Sequence, residues 1–105
     1  MIQMLSKGIE KFEYIDFEPT SILTLRAKEK LNRIFGESPS DSSTRGFLRK
    51  TREGFQGVMH VRSAVGTFMA DVIGEDPVAV VDTLSRKIRS QLRMWKRQRQ
   101  LAIDA

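Results

Sequence analysis

One segment, Asp76 to Gln100, constrains the fold more than any other part of the chain. Asp76 suits a helix N-cap because its carboxylate can accept a bond from a free N–H of the first turn, and Pro77 suits the first helical position. Apolar residues then recur with the helical period, at Val81, Leu84, Ile88, Leu92 and Trp95. Arginines recur at the same spacing on a different side, at Arg86, Arg89, Arg93 and Arg97. The segment predicts a long amphipathic helix with one buried face and one basic face.

The positive charge of the chain is concentrated in this segment. The whole chain carries a net charge of +5. From Asp76 onward, seven lysines and arginines face three acids, whereas the first 75 residues carry eleven bases and ten acids. A localised basic face is the usual footprint of a polyanionic partner such as a nucleic acid.

Length and composition limit the remaining possibilities. The 105 residues suffice for one small domain with a core. The absence of cysteine excludes disulfides and thiolate metal sites, and no apolar run reaches membrane-spanning length, which together indicate a cytoplasmic protein. We expect a lead-in over residues 1–10, a single α+β domain over 11–100, and a tail over 101–105.

The other secondary-structure elements follow from local patterns. Pro19, Thr20 and Ser21 open a helix whose apolar residues run from Leu23 to Phe35, and Gly36 ends it as a C′ residue. Aromatic or alternating segments predict strands over 11–17, 45–52, 55–63 and 68–73, with a bulge or an early end in the first. The order β-α-β-β-β-α favours a two-layer α+β sandwich, in which a four-stranded sheet carries both helices on one face.

The first helix adds a second set of basic residues. Arg26, Lys30 and Arg33 lie beside its apolar stripe, so both basic stripes should reach solvent from the same side of the sandwich. Glu29 is close enough in sequence to pair with them, and Asp82 is one turn from Arg86.

Part of the sequence resembles a known family. The run from Phe68 to Pro77 (FMADVIGEDP), followed by Val81-Asp82, Lys87-Ile88, Gln91-Leu92-Arg93 and Lys96, is similar to the C-terminal half of ribosome hibernation promoting factors, also called ribosome-associated inhibitor or sigma-54 modulation proteins. The family's β-α-β-β-β-α order matches the order predicted above.

The resemblance implies a function. Members of this family bind the small ribosomal subunit where messenger and transfer RNA sit, silence ribosomes under stress, and are not enzymes. It implies ribosomal RNA as the partner, with no cofactor, no small-molecule substrate and no membrane. Lys87, Arg93 and Lys96 match the family's basic helix surface, while Arg86, Arg89 and Arg97 come from the pattern of this sequence, with Arg26, Lys30 and Arg33 on the first helix as further RNA-binding candidates.

Three alternatives remain open. The arginine stripe could be a solvated helix face, and the chain could be a general RNA-binding module. It could also bind a protein through its open sheet face, with Gly57, Val58, His60 and Arg62 as contacts. Trp95 is interpreted as a core or edge residue, with a base-stacking platform as the alternative. His60 is interpreted as a sheet-face residue, because one histidine without cysteine supports neither a metal site nor a general base.

Overall fold

The predicted order of elements is confirmed. The structure, a computed structural model that describes residues 10–104, has the order β1(Glu10–Ile15), α1(Ser21–Glu37), β2(Ser43–Thr51), β3(Gly54–Ser63), β4(Gly66–Gly74) and α2(Pro77–Asp104). Helix α2 continues four residues beyond the predicted end at Gln100, into the segment expected to be a tail. The expected lead-in falls on residues 1–10, of which 1–9 lie outside the described part, and the division into domains stays a prediction.

All four strands form one mixed sheet in the order β1-β2-β3-β4. Strands β2, β3 and β4 make the antiparallel meander that short turns predict. Strand β1 runs parallel to β2, with Tyr14 beside Leu48. A parallel neighbour requires a long crossover connection, and α1 provides it.

The core lies between the two helices and one face of the sheet, so the two-layer α+β sandwich is confirmed. The side chains of Ile34 on α1, Leu48 on β2 and Leu84 on α2 are completely buried within it. Ile88 and Leu92, from the predicted apolar stripe, are completely buried as well. The other face of the sheet, called the open face below, is not covered by either of the two described helices.

Gly57 sets how closely α2 approaches the sheet. A Cβ at this position would lie 2.6 Å from Leu84 Cδ1 and 2.7 Å from Val80 Cγ1. The prediction that Gly57 belongs to the open face is therefore wrong. Side chains alternate along a strand, so Gly57 shares the covered face with its neighbours Phe55 and Met59.

The helix starts agree with the sequence, but the end of α1 does not. Asp76 Oδ1 accepts a hydrogen bond from the Val78 N–H at 3.0 Å, as an N-cap should, and Thr20 Oγ1 accepts from Leu23 N–H at 3.1 Å. Gly36 is not the C′ residue, because α1 continues to Glu37. The Ser38 hydroxyl and N–H bind the last free carbonyls of α1, so no left-handed glycine is needed there.

Aromatic side chains of β1 pack against others beyond the end of the strand. Phe12, Tyr14, Phe17 and Phe55 meet edge to face, with centroids 5.4, 5.9 and 5.0 Å apart in that order. Burial raises the pKa of the Tyr14 phenol above its ordinary value. The strand ends at Ile15, the early end that the shifted alternation allowed, because Asp16 adopts a left-handed conformation with φ 67°.

Candidate nucleic-acid interface

The basic residues of α2 occupy a stretch without any acid. Seven lysines and arginines lie between Asp82 and Asp104, and no aspartate or glutamate separates them. Six of the seven are exposed, namely Arg86, Lys87, Arg93, Lys96, Arg97 and Arg99. This stretch of α2 therefore presents a positive potential that no acid within it neutralises.

Arg89 differs from the rest of its stripe. Its Nε lies 2.9 Å from Glu37 Oε2 at the end of α1, and both side chains are about one-quarter exposed, at 24% and 26%. The expectation that the whole stripe points to solvent is therefore wrong at this position. Arg89 lies on the side of α2 that faces α1, where a charge partner is available.

The basic residues of α1 are also partly occupied. Arg26 Nη1 lies 3.5 Å from Asp82 Oδ2, and Lys30 Nζ lies 3.9 Å from Asp82 Oδ1. The sequence suggested local partners, Glu29 for α1 and Arg86 for Asp82, and neither pairing is formed. Instead Arg86 Nη2 donates to Thr83 Oγ1 at 3.4 Å. Asp82 is already engaged by two cations of α1, and the exposed Arg86 bonds to a neighbour within its own helix.

These ion pairs divide the basic residues into two groups. Arg26, Lys30 and Arg89 form ion pairs between the two helices, whereas the exposed group forms none with the side chains of residues 11–101. Arg33 on α1 is exposed as well. We call Arg86, Arg93, Lys96 and Arg97 the free basic surface.

The free basic surface has a defined shape. At about 100° per residue, Arg86, Arg93 and Arg97 lie within about 40° of one another around the helix axis, and Lys96 lies about 60° from Arg93. They extend over about 16 Å along the axis. Guanidinium groups bind phosphates with two parallel hydrogen bonds, so a row of this kind can follow a phosphate backbone.

Trp95 lies at the edge of the core, as interpreted from the sequence. Its ring is half-buried and meets Phe68 edge to face at 6.1 Å. The Arg99 guanidinium lies 5.5 Å from the centroid of the same ring. A nucleobase stacking on Trp95 would have to displace Arg99, so the structure favours an edge residue over a stacking platform.

His60 lies half-buried on the open face, beside β2 residue Arg45, which agrees with the sheet-face interpretation. Among the described side chains, those of residues 11–101, no three of the His, Asp and Glu groups come together in a way that could hold a metal ion. Neither helix of this region is long and apolar enough to cross a membrane.

Solved structures of other proteins share this fold. The N-terminal domain of Protein Y from Thermus thermophilus superimposes with a TM-score of 0.69 at 16% sequence identity, over 84% of this chain and 98% of that one. A ribosomal subunit interface protein from Coxiella burnetii gives a TM-score of 0.67 at 21% identity, with the same coverage of both chains. No family model and no curated protein sequence matches the chain. The fold expected from the family resemblance is thus confirmed.

Proposed function

We propose that this protein binds the small ribosomal subunit through ribosomal RNA, and that it inhibits translation and promotes ribosome hibernation under stress. One observation carries the proposal: the free basic surface lies on a fold shared with Protein Y and with a ribosomal subunit interface protein. These neighbours support a ribosome-associated role, and the exposed arginines of α2 supply the chemistry for it.

The RNA contacts are divided according to the ion pairs. Arg86, Arg93, Lys96 and Arg97 contact phosphates directly, because they are exposed along one side of α2. Lys87 is also exposed, but it lies about 100° from Arg86 around the helix axis, so it contacts phosphate beyond the free basic surface. Arg33 is an exposed contributor from α1. Arg89, Arg26 and Lys30 contribute less, because they are already paired with Glu37 and Asp82. Their main effect is to fix the angle at which α2 presents the free basic surface.

The start of α2 faces away from the RNA in this arrangement. Glu75 and Asp76 are exposed carboxylates at that end, and Asp76 already caps the helix. Negative charge there repels phosphate, although helix starts usually attract it. This separates the protein from a duplex-RNA binder that uses its second helix start, and directs the RNA to the later turns of α2.

Recognition on this surface is electrostatic and shape-dependent. Each phosphate contact releases condensed counterions, so affinity falls steeply as salt rises. Folded RNA displays its phosphates and 2′-hydroxyls rather than readable base edges in its deep groove. We therefore expect little dependence on RNA sequence.

Co-sedimentation with purified small subunits, at about 50 and about 200 mM salt, tests the proposal. The wild type should pellet with the subunit and weaken at the higher salt. Arg93→Glu/Arg97→Glu should remain in the supernatant. Arg49→Glu/Arg52→Glu makes the same change in net charge away from α2 and should pellet like the wild type.

Each other outcome is informative. If the wild type never pellets, ribosome binding is contradicted, and only the fold is shared with the two neighbours. Equal loss in both charge variants would mean that net charge, and not the free basic surface, drives association. Equal pelleting with large subunits, or full competition by an unrelated RNA duplex, would indicate a general RNA-binding module. For inhibition, the wild type should lower the yield of a purified translation reaction and Arg93→Glu/Arg97→Glu should not.

A further inference from the structure

The open face carries a depression that the proposed function does not use. It lies on the opposite side of the sheet from α2, spans β1, β2 and β3, and has a volume of about 350 Å³. Its chemistry comes from six residues: Glu13, Arg45, Phe47, Val58, His60 and Arg62. A cavity of this size is at the lower end of the range that holds small ligands, about 300 to 1,000 Å³.

The strand register arranges these residues into rows with different chemistry. Arg62 pairs with Ser43 in the first row, and His60 pairs with Arg45 in the second. Phe47 and Val58 form the third row, where Glu13 of β1 is the neighbour of Phe47. Successive rows are about 6.6 Å apart along the strand. The depression is therefore basic at one end and apolar, with one carboxylate, at the other.

The basic end concentrates like charges. Lys11 of β1 is the neighbour of Arg45, and Arg62 lies diagonally across from Arg45 on β3. Like charges on adjacent positions of a sheet destabilise it. These three cations are exposed, and none of them forms an ion pair with the described side chains of residues 11–101. An anionic ligand would neutralise this cluster.

The apolar end of the depression contains an aromatic ring, that of Phe47. The Arg49 guanidinium lies 5.0 Å from the centroid of the Phe47 ring, so one side of the ring is in contact with protein. Phe47 and Val58 also line the depression, and because Val58 is only 8% exposed, most of the apolar surface available to a planar group belongs to Phe47. Aromatic side chains stack with nucleobases of any sequence.

We propose that this depression binds a nucleotide. Arg45 and Arg62 bind its phosphate, Phe47 and Val58 contact its base, and Glu13 accepts hydrogen bonds from amino groups at the base edge. The nucleotide is either free in solution or a unit of a single-stranded RNA, since both offer a phosphate next to a planar base. The site does not depend on the free basic surface of α2.

Amide chemical shifts of the isotope-labelled protein test the proposal directly. Adenosine and guanosine 5′-monophosphates and a short single-stranded RNA are titrated separately, beside adenosine and inorganic phosphate. The mononucleotides should shift amides of residues 43–47 and 58–62, and each half-ligand should bind at least about tenfold more weakly, because each lacks one set of contacts. If the RNA binds here and the mononucleotides do not, the source is a strand.

Two matched variants assign the site. Arg45→Gln/Arg62→Gln should weaken nucleotide binding by at least about tenfold, while thermal unfolding confirms that the variant is folded. Arg93→Gln/Arg97→Gln removes the same charge from α2 and should leave nucleotide binding unchanged. The proposal is overturned if no probe shifts the open face, if shifts appear only on α2, or if the Arg45/Arg62 variant binds like the wild type. Ribosome co-sedimentation can fail or succeed independently of these results.

Discussion

The arginines of α2 recur with one period, but their surroundings differ between the two halves of the helix. In the inner half, residues 77–89, Val80, Val81, Leu84 and Ile88 are buried, and Arg89 is paired with Glu37. Two cations of this half, Arg86 and Lys87, are exposed. In the outer half, residues 90–104, Leu92 is buried, Trp95 is half-buried, and the described cations are exposed. The comparison teaches that a repeated charge pattern on a helix indicates function only where neighbouring elements leave the charges unpaired.

The largest expected effect is on the free energy of unfolding, and it distinguishes Leu84 in the inner half from Leu101 in the outer half. Leu84→Ala should lower the free energy of unfolding by about 2 to 5 kcal/mol, because it opens a cavity at the centre of the core. Leu101→Ala in the outer half, where the side chain is 62% exposed, should change it by less than about 0.5 kcal/mol. Urea denaturation of both variants measures the difference. Similar losses would contradict the exposed position of Leu101 near the end of α2.

A second prediction concerns the close approach between the inner half and the sheet. Gly57→Ala should lower the free energy of unfolding by about 1 to 3 kcal/mol, because the new methyl overlaps Leu84 and the stiff Val80 side chain. Gly36→Ala is the matched control. A Cβ at Gly36 meets nothing within 4 Å, and the residue is helical, so this change should stabilise the protein by about 0.5 to 1 kcal/mol. Loss of stability in Gly36→Ala would show that Gly36 ends α1 after all.

A third prediction compares two arginines one helical turn apart. Arg93→Gln should reduce the affinity for small ribosomal subunits and lower the slope of log affinity against log salt by about 1, because one phosphate contact is lost. Arg89→Gln should leave this slope nearly unchanged, since Arg89 is paired with Glu37. Binding titrations at several salt concentrations measure both slopes. Equal slopes for the two variants would mean that Arg89 leaves Glu37 and contacts RNA.

Local sequence patterns predicted the secondary-structure elements well. The features that these patterns missed depend on contacts between residues that are far apart in sequence. Helical periodicity located the buried residues of α2, and Asp76-Pro77 located its start. The parallel position of β1 at the sheet edge could not be predicted, because alternation shows which face is buried but not which strand lies alongside. The pairing of Arg89 with Glu37 was missed for the same reason, since the two are 52 residues apart in sequence.

The open-face depression was missed for a related reason. The basic and aromatic residues of β2 were visible in the sequence, but the Arg45–His60 and Phe47–Val58 neighbours depend on the strand register. A shift of one residue would move every one of these side chains to the other face. The signal that could have found the site was the alternation of Arg45, Phe47 and Arg49 with Gly46 and Leu48.

The smallest predicted effect concerns the ion pair with Glu37, which distinguishes Arg89 from Arg93. A double-mutant cycle of Glu37→Gln and Arg89→Gln should give a coupling energy of about 0.2 to 1 kcal/mol, the usual range for a partly exposed ion pair. The same cycle with Arg93→Gln in place of Arg89→Gln should give no coupling, because Arg93 lies beyond the end of α1. If Glu37 couples to both arginines, then Glu37 also neutralises part of the charge of Arg93. In that case Lys96 and Arg97 alone would form the outer part of the free basic surface. If it couples to Arg89 alone, the ion pair explains why Arg89 is withheld from RNA while Arg93, one turn further along α2, belongs to the free basic surface.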